Sequence, residues 1–445
     1  MDPKPLTLSE RDIDGAYGSS RRWGTQKNSH GGAMPSRRDF LKTTGGLVIA
    51  TGGTWRATHA RGAVPNPPGL APLPAGAVAS GDLEAIAGKV PLIKRTWRPP
   101  NYETPLSYFA EDFTPNRAFF VRYHLAGVPA AVAADKWTLK IGGDAAATPF
   151  EINFEQLKRD YPPVELAAVN QCSGNRRGLF DPHVAGVEWG VGAMGNARWK
   201  GARLKDVLAK AGLKKEALEI AFDGADGPVM PATPDFQKSI PVWKALDENT
   251  LIAYEMNGEP LPHWNGFPAR IVVPGWTGTY WMKHVTSINA ISKPFDNFWV
   301  KTAYRIPTNR FPLMEHFGSQ MTDANEPITE MVVNSIITNV APGQEVPVGR
   351  AFEVKGVAWD GGRGIATVDV SADGGRSWRS ATLGTDHGRF SFRSFSQSFT
   401  PSERGALVVM ARASNHAGGT QTMELILNPA GYHHNVVQRI AINAV

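Results

Sequence analysis

A chain of 445 residues with a single cysteine, Cys172, has few covalent ways of holding itself together. No intrachain disulfide can form, a thiolate-ligated iron–sulfur cluster cannot be built, and the Cys-x-x-Cys-His attachment of c-type haem is missing. The chain must therefore rely on buried cores, and its length suits two folded domains after an export segment. Any redox work it does must use a cofactor that one thiolate can hold, with electrons handed to another protein.

The surroundings of that cysteine are chemically loaded. Asn170-Gln171-Cys172-Ser173-Gly174-Asn175-Arg176-Arg177 encloses one soft sulfur among amides, a glycine and two guanidinium groups. Positive charge nearby lowers a thiol's pKa, and the thiolate is the metal-binding form. A free cysteine is also a common small core residue, but Gln, Asn and paired Arg each need partners when buried. A metal-bound thiolate is the leading reading. The formal net charge of +6 is mild. With no long basic run or zinc-finger spacing, nucleic acid is not an expected partner, whereas an anionic substrate or an acidic redox partner is.

Near the N-terminus, Ser36-Arg37-Arg38-Asp39-Phe40-Leu41-Lys42 precedes a short glycine-rich apolar stretch and Ala57-Thr58-His59-Ala60. The order of features reads as a twin-arginine export signal with a polar N-terminal extension, residues 1–60. The stretch is too short to span a bilayer, so no membrane span is expected. Twin-arginine export carries folded proteins, and the expected location is the periplasm, with a mature chain starting near Arg61. Gly62 to Gly76 is rich in Pro, Gly and Ala and opens a leader covering 61–91.

The remainder divides by hydrophobic period. Residues 92–327 mix short strand-like runs, such as Ala118–Leu125 and Ala269–Val273, with a few helices. The clearest helix runs from Ala202 to Ala211, with Leu204, Val207, Leu208 and Ala211 on one face and Gly212 as its stop. From about Ile328 the period becomes two, as in Val368, Val370 and Ala372 before Asp373-Gly374-Gly375, and in Leu407, Val409, Ala411 and Ala413. The expected class is α+β, with an immunoglobulin-like antiparallel β-sandwich over 328–445. No internal repeat is evident.

The Cys172 motif, the upstream Phe119-Phe120-Val121-Arg122-Tyr123-His124-Leu125 and the downstream Asn265-Gly266-Phe267-Pro268-Ala269-Arg270-Ile271-Val272-Val273-Pro274-Gly275 together resemble the sulfite oxidase family of molybdenum enzymes. The likeness runs in the family's order from about Leu92 to the C-terminus, and looks nearer to bacterial cytochrome-coupled sulfite dehydrogenases than to the sulfane dehydrogenase subunit of thiosulfate-oxidising complexes. It implies a molybdenum–molybdopterin cofactor with Cys172 as the protein's metal ligand, a soft donor suited to such a metal. By the same resemblance Phe120, Val121, Arg122 and Tyr123 touch the cofactor, and Arg122 also forks onto the substrate anion.

His124, two residues along from Arg122, shares its strand face; it tunes the pocket's charge, bonds the cofactor, or is structural. The resemblance makes Asp226 an acidic pterin contact, and makes Arg270 and Lys283, with the preceding Met282, the contacts for the pterin phosphate. Asn265 stands where animal members carry His, with His263 as a candidate to compensate. Tyr304 matches a tyrosine that leans into the substrate pocket, Arg393 a second substrate-site arginine from the sandwich, and Trp189 a candidate pocket wall. The resemblance implies oxidation of sulfite to sulfate, with single electrons passed to a c-type cytochrome, no haem on this chain, and a homodimer through the sandwich. Competing readings are a sulfane dehydrogenase subunit, an exported non-enzymatic binding protein with a structural Cys172, and thiol-peroxidase chemistry, which lacks a resolving cysteine.

Overall fold

The computed structural model describes residues 82–308 and 325–445. The expected export signal and the Gly62–Gly76 stretch lie outside the described residues. Among the described residues no helix is long and apolar enough to cross a membrane.

Residues 82–308 form three sheets with short helices between them. The first is an antiparallel run of Leu83–Glu84, Leu92–Thr96, Asn101–Glu103 and Val121–Arg122. Residues 82–91 thus fold onto this part of the molecule. A second sheet orders Lys238–Pro241, Glu219–Gly224, Val285–Ile291, Thr138–Gly142 and Phe150–Asn153, with one parallel pair between Val285–Ile291 and Thr138–Gly142. The third is antiparallel and carries the cysteine motif: Glu259–Pro260, Leu251–Met256, Met194–Arg203 and Pro163–Gln171, with Arg270–Val272 also paired to Leu251–Met256.

The helix Leu204–Ala211 buries Leu204, Val207, Leu208 and Ala211 and stops at Gly212, whose φ of +65° is open to glycine at little cost. It begins two residues later than its apolar pattern suggests. Ala202 and Arg203 stay in the strand because neighbouring strands pair with them.

From residue 325 onward every regular element is a β-strand. One sheet orders Asn334–Ile337, Phe352–Trp359, Arg393–Phe399 and Thr382–Leu383; the other orders Glu345–Val346, Gln438–Ala444, Gly405–Asn415, Ile365–Ser371 and Arg379–Ser380. Only the short edge strand Glu345–Val346 pairs in parallel, with Gln438–Ala444. The period-two pattern is realised: Val368, Val370, Val409, Ala411, Ala413, Ile440 and Ile442 from one sheet meet Ile337, Val354, Ala358 and Phe395 from the other in one core. A second apolar cluster stitches this sandwich to the preceding region, joining Leu106, Phe109, Val169 and Met194 to Ile336, Val357, Trp359 and Phe392. The end of the cysteine strand therefore abuts the sandwich.

Candidate functional site

The turn after strand Pro163–Gln171 is built to hold Cys172 still. Its N–H donates to the Ala193 carbonyl (2.9 Å), Asn175 N–H closes back on the Cys172 carbonyl (2.9 Å), and the Asn175 side chain accepts from Ala193 N–H (3.0 Å). Arg176 adopts φ +70°, an unfavourable left-handed state for a residue with a Cβ, and Arg176 N–H donates to Gly190 O at 2.7 Å. From the sandwich side, Trp359 Nε1 donates to Gln171 Oε1 (2.6 Å), and Arg176 donates to Ser335 O (2.7 Å). The cysteine thus sits on a loop clamped from both parts of the molecule.

Cys172 is buried and opens onto a cleft of about 590 Å³, counted with its mouth. Of the residues singled out in the sequence, Phe120, Arg122, Tyr123, His124, Cys172 and Asp226 line it, as do Asn265, Arg270, Met282, Lys283 and Tyr304. Val121 does not; it is fully buried in a small apolar cluster with Leu92 and Tyr102. Trp189 is fully buried in the core rather than in the cleft wall. His263 is not among the residues that line the cleft and packs beside His284 at 5.2 Å, while Asn265 Oδ1 accepts from Lys89 (2.5 Å).

Arg393 is not among the residues that line the cleft and is ion-paired with Asp386 at 3.1 Å. Arg393 is paired in register with Ala358 within the sandwich sheet, and Asp386 in the loop just before its strand holds the guanidinium.

Against the thiol, Arg122 donates to the Tyr304 hydroxyl (3.2 Å) and touches Cys172. Burial opposes the Arg122 charge, but the Tyr304 hydroxyl and the Cys172 sulfur beside it hold its pKa above the usual value. Tyr304 itself sits at φ +61°, stacks on Tyr432 at 5.7 Å, and hydrogen-bonds His124 Nε2 at 2.5 Å. Burial raises the Tyr304 pKa, while Arg122 pulls it back. The His124 ring lies flat on Phe236, 3.5 Å between centroids, with Trp299 at its edge. Burial, then Arg122, Lys283 and Lys238, push its pKa well below the ordinary histidine value, so the ring is neutral at physiological pH. The constellation is a fixed guanidinium, a neutral phenol and a neutral imidazole on one wall.

The same cleft holds two further cationic side chains. Arg270 is buried and donates to Asn265 O (3.0 Å) and Trp281 O (2.8 Å). Burial lowers its pKa to about 9. Lys283 donates to Arg122 O and lies over the Tyr123 ring; burial lowers its pKa well below normal, while Asp226 raises it. Asp226 is itself raised to about 6 by burial, with Lys283 acting against that shift.

The residues fit a metal–pterin group on their own chemistry. Arg122 Nε, Asn170 Oδ1, Ser173 Oγ, Arg270 Nε and Thr279 Oγ1 are buried, line the cleft, and lack a protein hydrogen-bond partner, a concentration that buried polar groups ordinarily avoid. A Cβ on Gly266 or Gly278 would press into Arg270 and Lys283 or into Asn170, so both glycines keep the cleft open. Among the described residues no three His, Cys, Asp or Glu side chains cluster to cage a metal. One thiolate would then share the metal with donors that the cofactor brings.

The sequence did not single out Asn170, Ser173 and Thr279, although two of them flank Cys172 in its motif. Phe236 and Tyr432 carried no signal at all. Arg177, noted only as the cysteine's charged neighbour, is positioned behind Tyr304 through Tyr432, with its guanidinium 5.2 Å from that ring.

Two other histidines make the fold sensitive to acid. Burial holds His284 and His434 at about 3, whereas the unfolded chain binds those protons near pH 6.5. A depressed folded pKa gives stability that is present above the unfolded value and lost as pH falls towards the folded one. Asp226, raised to about 6, acts in the opposite direction. Between pH 7 and 5 these three groups together give an expected net loss of about 2–3 kcal/mol, to which neutral His124 adds in the same direction. Urea unfolding at the two pH values measures it, and equal stability would contradict the neutral-histidine assignment.

Comparison with known proteins agrees with this geometry. Residues 124–299 match the oxidoreductase molybdopterin binding domain, and residues 325–445 match the Mo-co oxidoreductase dimerisation domain. Mitochondrial sulfite oxidase of Macaca fascicularis is 36% identical over 280 residues, 61% of this chain and 50% of that protein. An NADH nitrate reductase of Oryza sativa subsp. japonica is 31% identical over 293 residues, 61% of this chain and 31% of that protein. The chain thus spans about half the length, or less, of these curated relatives. The crystal structure of the sulfane dehydrogenase SoxCD from Paracoccus pantotrophus superposes with a TM-score of 0.65 at 25% identity, covering 79% of this chain and 88% of that one. With both domain families matched in order and the cysteine on the cleft, this chain belongs to the sulfite oxidase family of molybdopterin-binding oxidoreductases.

Proposed function

We propose that the chain is a periplasmic molybdenum oxidoreductase that oxidises sulfite to sulfate and passes electrons one at a time to a c-type cytochrome. The observation that carries this reading is the meeting of Cys172, Arg122, Tyr304 and His124 in one cleft that Arg270 and Lys283 also line. A metal–pterin group would be held by Cys172, with Asp226, Asn265, Arg270 and Lys283 as its further contacts, and would supply two-electron oxygen-atom transfer.

The chain's own residues do the rest. Arg122 offers a charged donor pair to a small dianion and holds it against the sulfur end of the cleft. The Tyr304 hydroxyl, fixed between Arg122 and His124, is placed to give one oriented hydrogen bond to a bound oxyanion. Neutral His124, as its Nε2–H tautomer, donates to the phenol oxygen without adding charge and leaves the hydroxyl proton for the oxyanion, and Phe236 and Trp299 shield the ring from water. Fixing both partners in this way removes orientational freedom from the reacting pair.

The export location rests on Ser36-Arg37-Arg38-Asp39-Phe40-Leu41-Lys42. The cytochrome acceptor rests on the single cysteine, which leaves no Cys-x-x-Cys-His site for haem in these residues. The homodimer, and an immunoglobulin-type sandwich to mediate it, rest on the match of residues 325–445 to a dimerisation domain and on their two packed sheets.

Likeness to SoxCD supports a second reading, a sulfane dehydrogenase. One preparation separates the two: metal content, then cytochrome c reduction with sulfite and with protein-bound sulfane sulfur. About one molybdenum per chain with sulfite-dependent reduction supports the first reading. Inertness to sulfite with turnover of sulfane sulfur sinks it, and metal-free protein sinks both.

A further inference from the structure

Lys89 is buried, and burial lowers its pKa to about 7 with no neighbouring charge to offset it. Its ammonium group donates to Asn116 O (2.6 Å) and to Asn265 Oδ1 (2.5 Å); among the described residues it has no carboxylate partner. A buried cation without a counter-ion is costly unless something nearby compensates it. Two more cations stand in the adjoining cleft: Arg270 donates to the Asn265 carbonyl, and Lys283, whose charge interacts with those of Arg270 and Asp226, donates to Arg122 O. With Lys89, Arg270 and Lys283 protonated and Asp226 ionised, as a bound anion would favour, these four groups carry an excess of two positive charges, the complement of a phosphate monoester dianion.

The segment that carries Lys89 is strapped to this end of the cleft. Leu83–Glu84 pairs with Leu92–Ile93, Val90 N–H donates to Arg117 O (3.0 Å), and the Trp264 indole, a cleft residue, donates to Ala87 O at 2.8 Å. Residues 86–90 therefore reach two lining residues in succession, Trp264 and Asn265. The Asn265 amide is gripped at both ends, since its Nδ2 donates to Phe120 O (3.1 Å).

We propose that Lys89 is a positioning residue for the phosphate-bearing end of the bound group, supplying a third cation through Asn265 and coupling retention of that group to docking of residues 82–91. This rests on the reading of the cleft given under Proposed function. Burying an ammonium is unfavourable for the segment on its own, and the anion that neutralises it is what offsets that cost.

The test counts molybdenum and oxidised-pterin fluorescence per chain in full-length protein from a cofactor-producing host after dialysis, and follows thermal unfolding of the cofactor-free chain from a cofactor-deficient host. Wild type should hold close to one group per chain, Lys89→Met at least about fivefold less, and Lys89→Arg nearly as much as wild type. Cofactor-free Lys89→Met should melt at or above wild type, because an uncompensated buried charge has gone. Equal retention in Lys89→Met overturns the proposal, as does a loss matched by an equally lower melting temperature of the cofactor-free chain, which marks a merely structural lysine. If Lys89→Met does not accumulate, Asn265→Asp decides: it hands Lys89 a carboxylate, cancels one positive charge and should lower retention, and unchanged retention overturns the idea. Wild type devoid of molybdenum and pterin would overturn this proposal together with the reading of the cleft, whereas loaded wild type beside fully loaded Lys89→Met overturns this proposal alone.

Discussion

Replacing Cys172 by serine is expected to leave the fold intact and to remove turnover, by at least about 100-fold, the upper range seen even when only groups behind a metal ligand are lost. The loop is fixed by backbone and amide bonds that serine preserves, the Cys172 N–H to Ala193 O and Asn175 N–H to Cys172 O, so urea unfolding should shift by less than about 1 kcal/mol. A hydroxyl is a hard donor and cannot replace the soft sulfur at a metal that also binds sulfur donors. Sulfite turnover, measured beside molybdenum content and the visible absorption of a thiolate–metal bond, checks the result. Full turnover with that absorption unchanged would falsify the ligand role.

The second large effect concerns Arg122. Arg122→Gln removes a guanidinium that donates to Tyr304 and touches Cys172. A hydrogen bond to a charged group is worth about 1.5–3 kcal/mol, so kcat/KM for sulfite should fall roughly 10- to 150-fold. The fall should lie mainly in KM, because the charge holds the anion before and during reaction alike. The same substitution takes away the cation that pulls the Tyr304 pKa down, so the phenol should titrate higher still. An unaltered KM would show that the anion binds elsewhere in the cleft.

Much of this architecture is legible from residue patterns because local rules set it. Alternation in Val368, Val370, Val409, Ala411 and Ala413 predicts a buried face without any knowledge of the partner sheet. The face of Leu204, Val207, Leu208 and Ala211 predicts the helix for the same reason.

Side-chain destinations that depend on distant strands are harder to read. Regular strand covers only Val121–Arg122, and Val121 turns into the core while its neighbours reach the cleft. Arg393 carries the right chemistry in the right order, but Asp386 lies close by and captures it. Phe236 meets His124 across more than a hundred residues of sequence, and no periodicity announces such a stack. Lys89 was hidden for another reason: the Pro- and Gly-rich stretch before it makes its segment look like tether, and only three-dimensional pairing brings it to Asn265.

The grip of the C-terminal sandwich on the cysteine turn reaches beyond stability. Trp359 holds Gln171, Ser335 holds Arg176, the Ala430 carbonyl holds Arg177, and Tyr432 backs Tyr304. Exchanging that half for the same module of a relative would import a foreign jaw around the reactive sulfur, so hybrid enzymes should need matched substitutions at the seam before they work. Substrate preference is then a trait the two halves inherit together, and selection for a new sulfur compound can act on residues that never meet it.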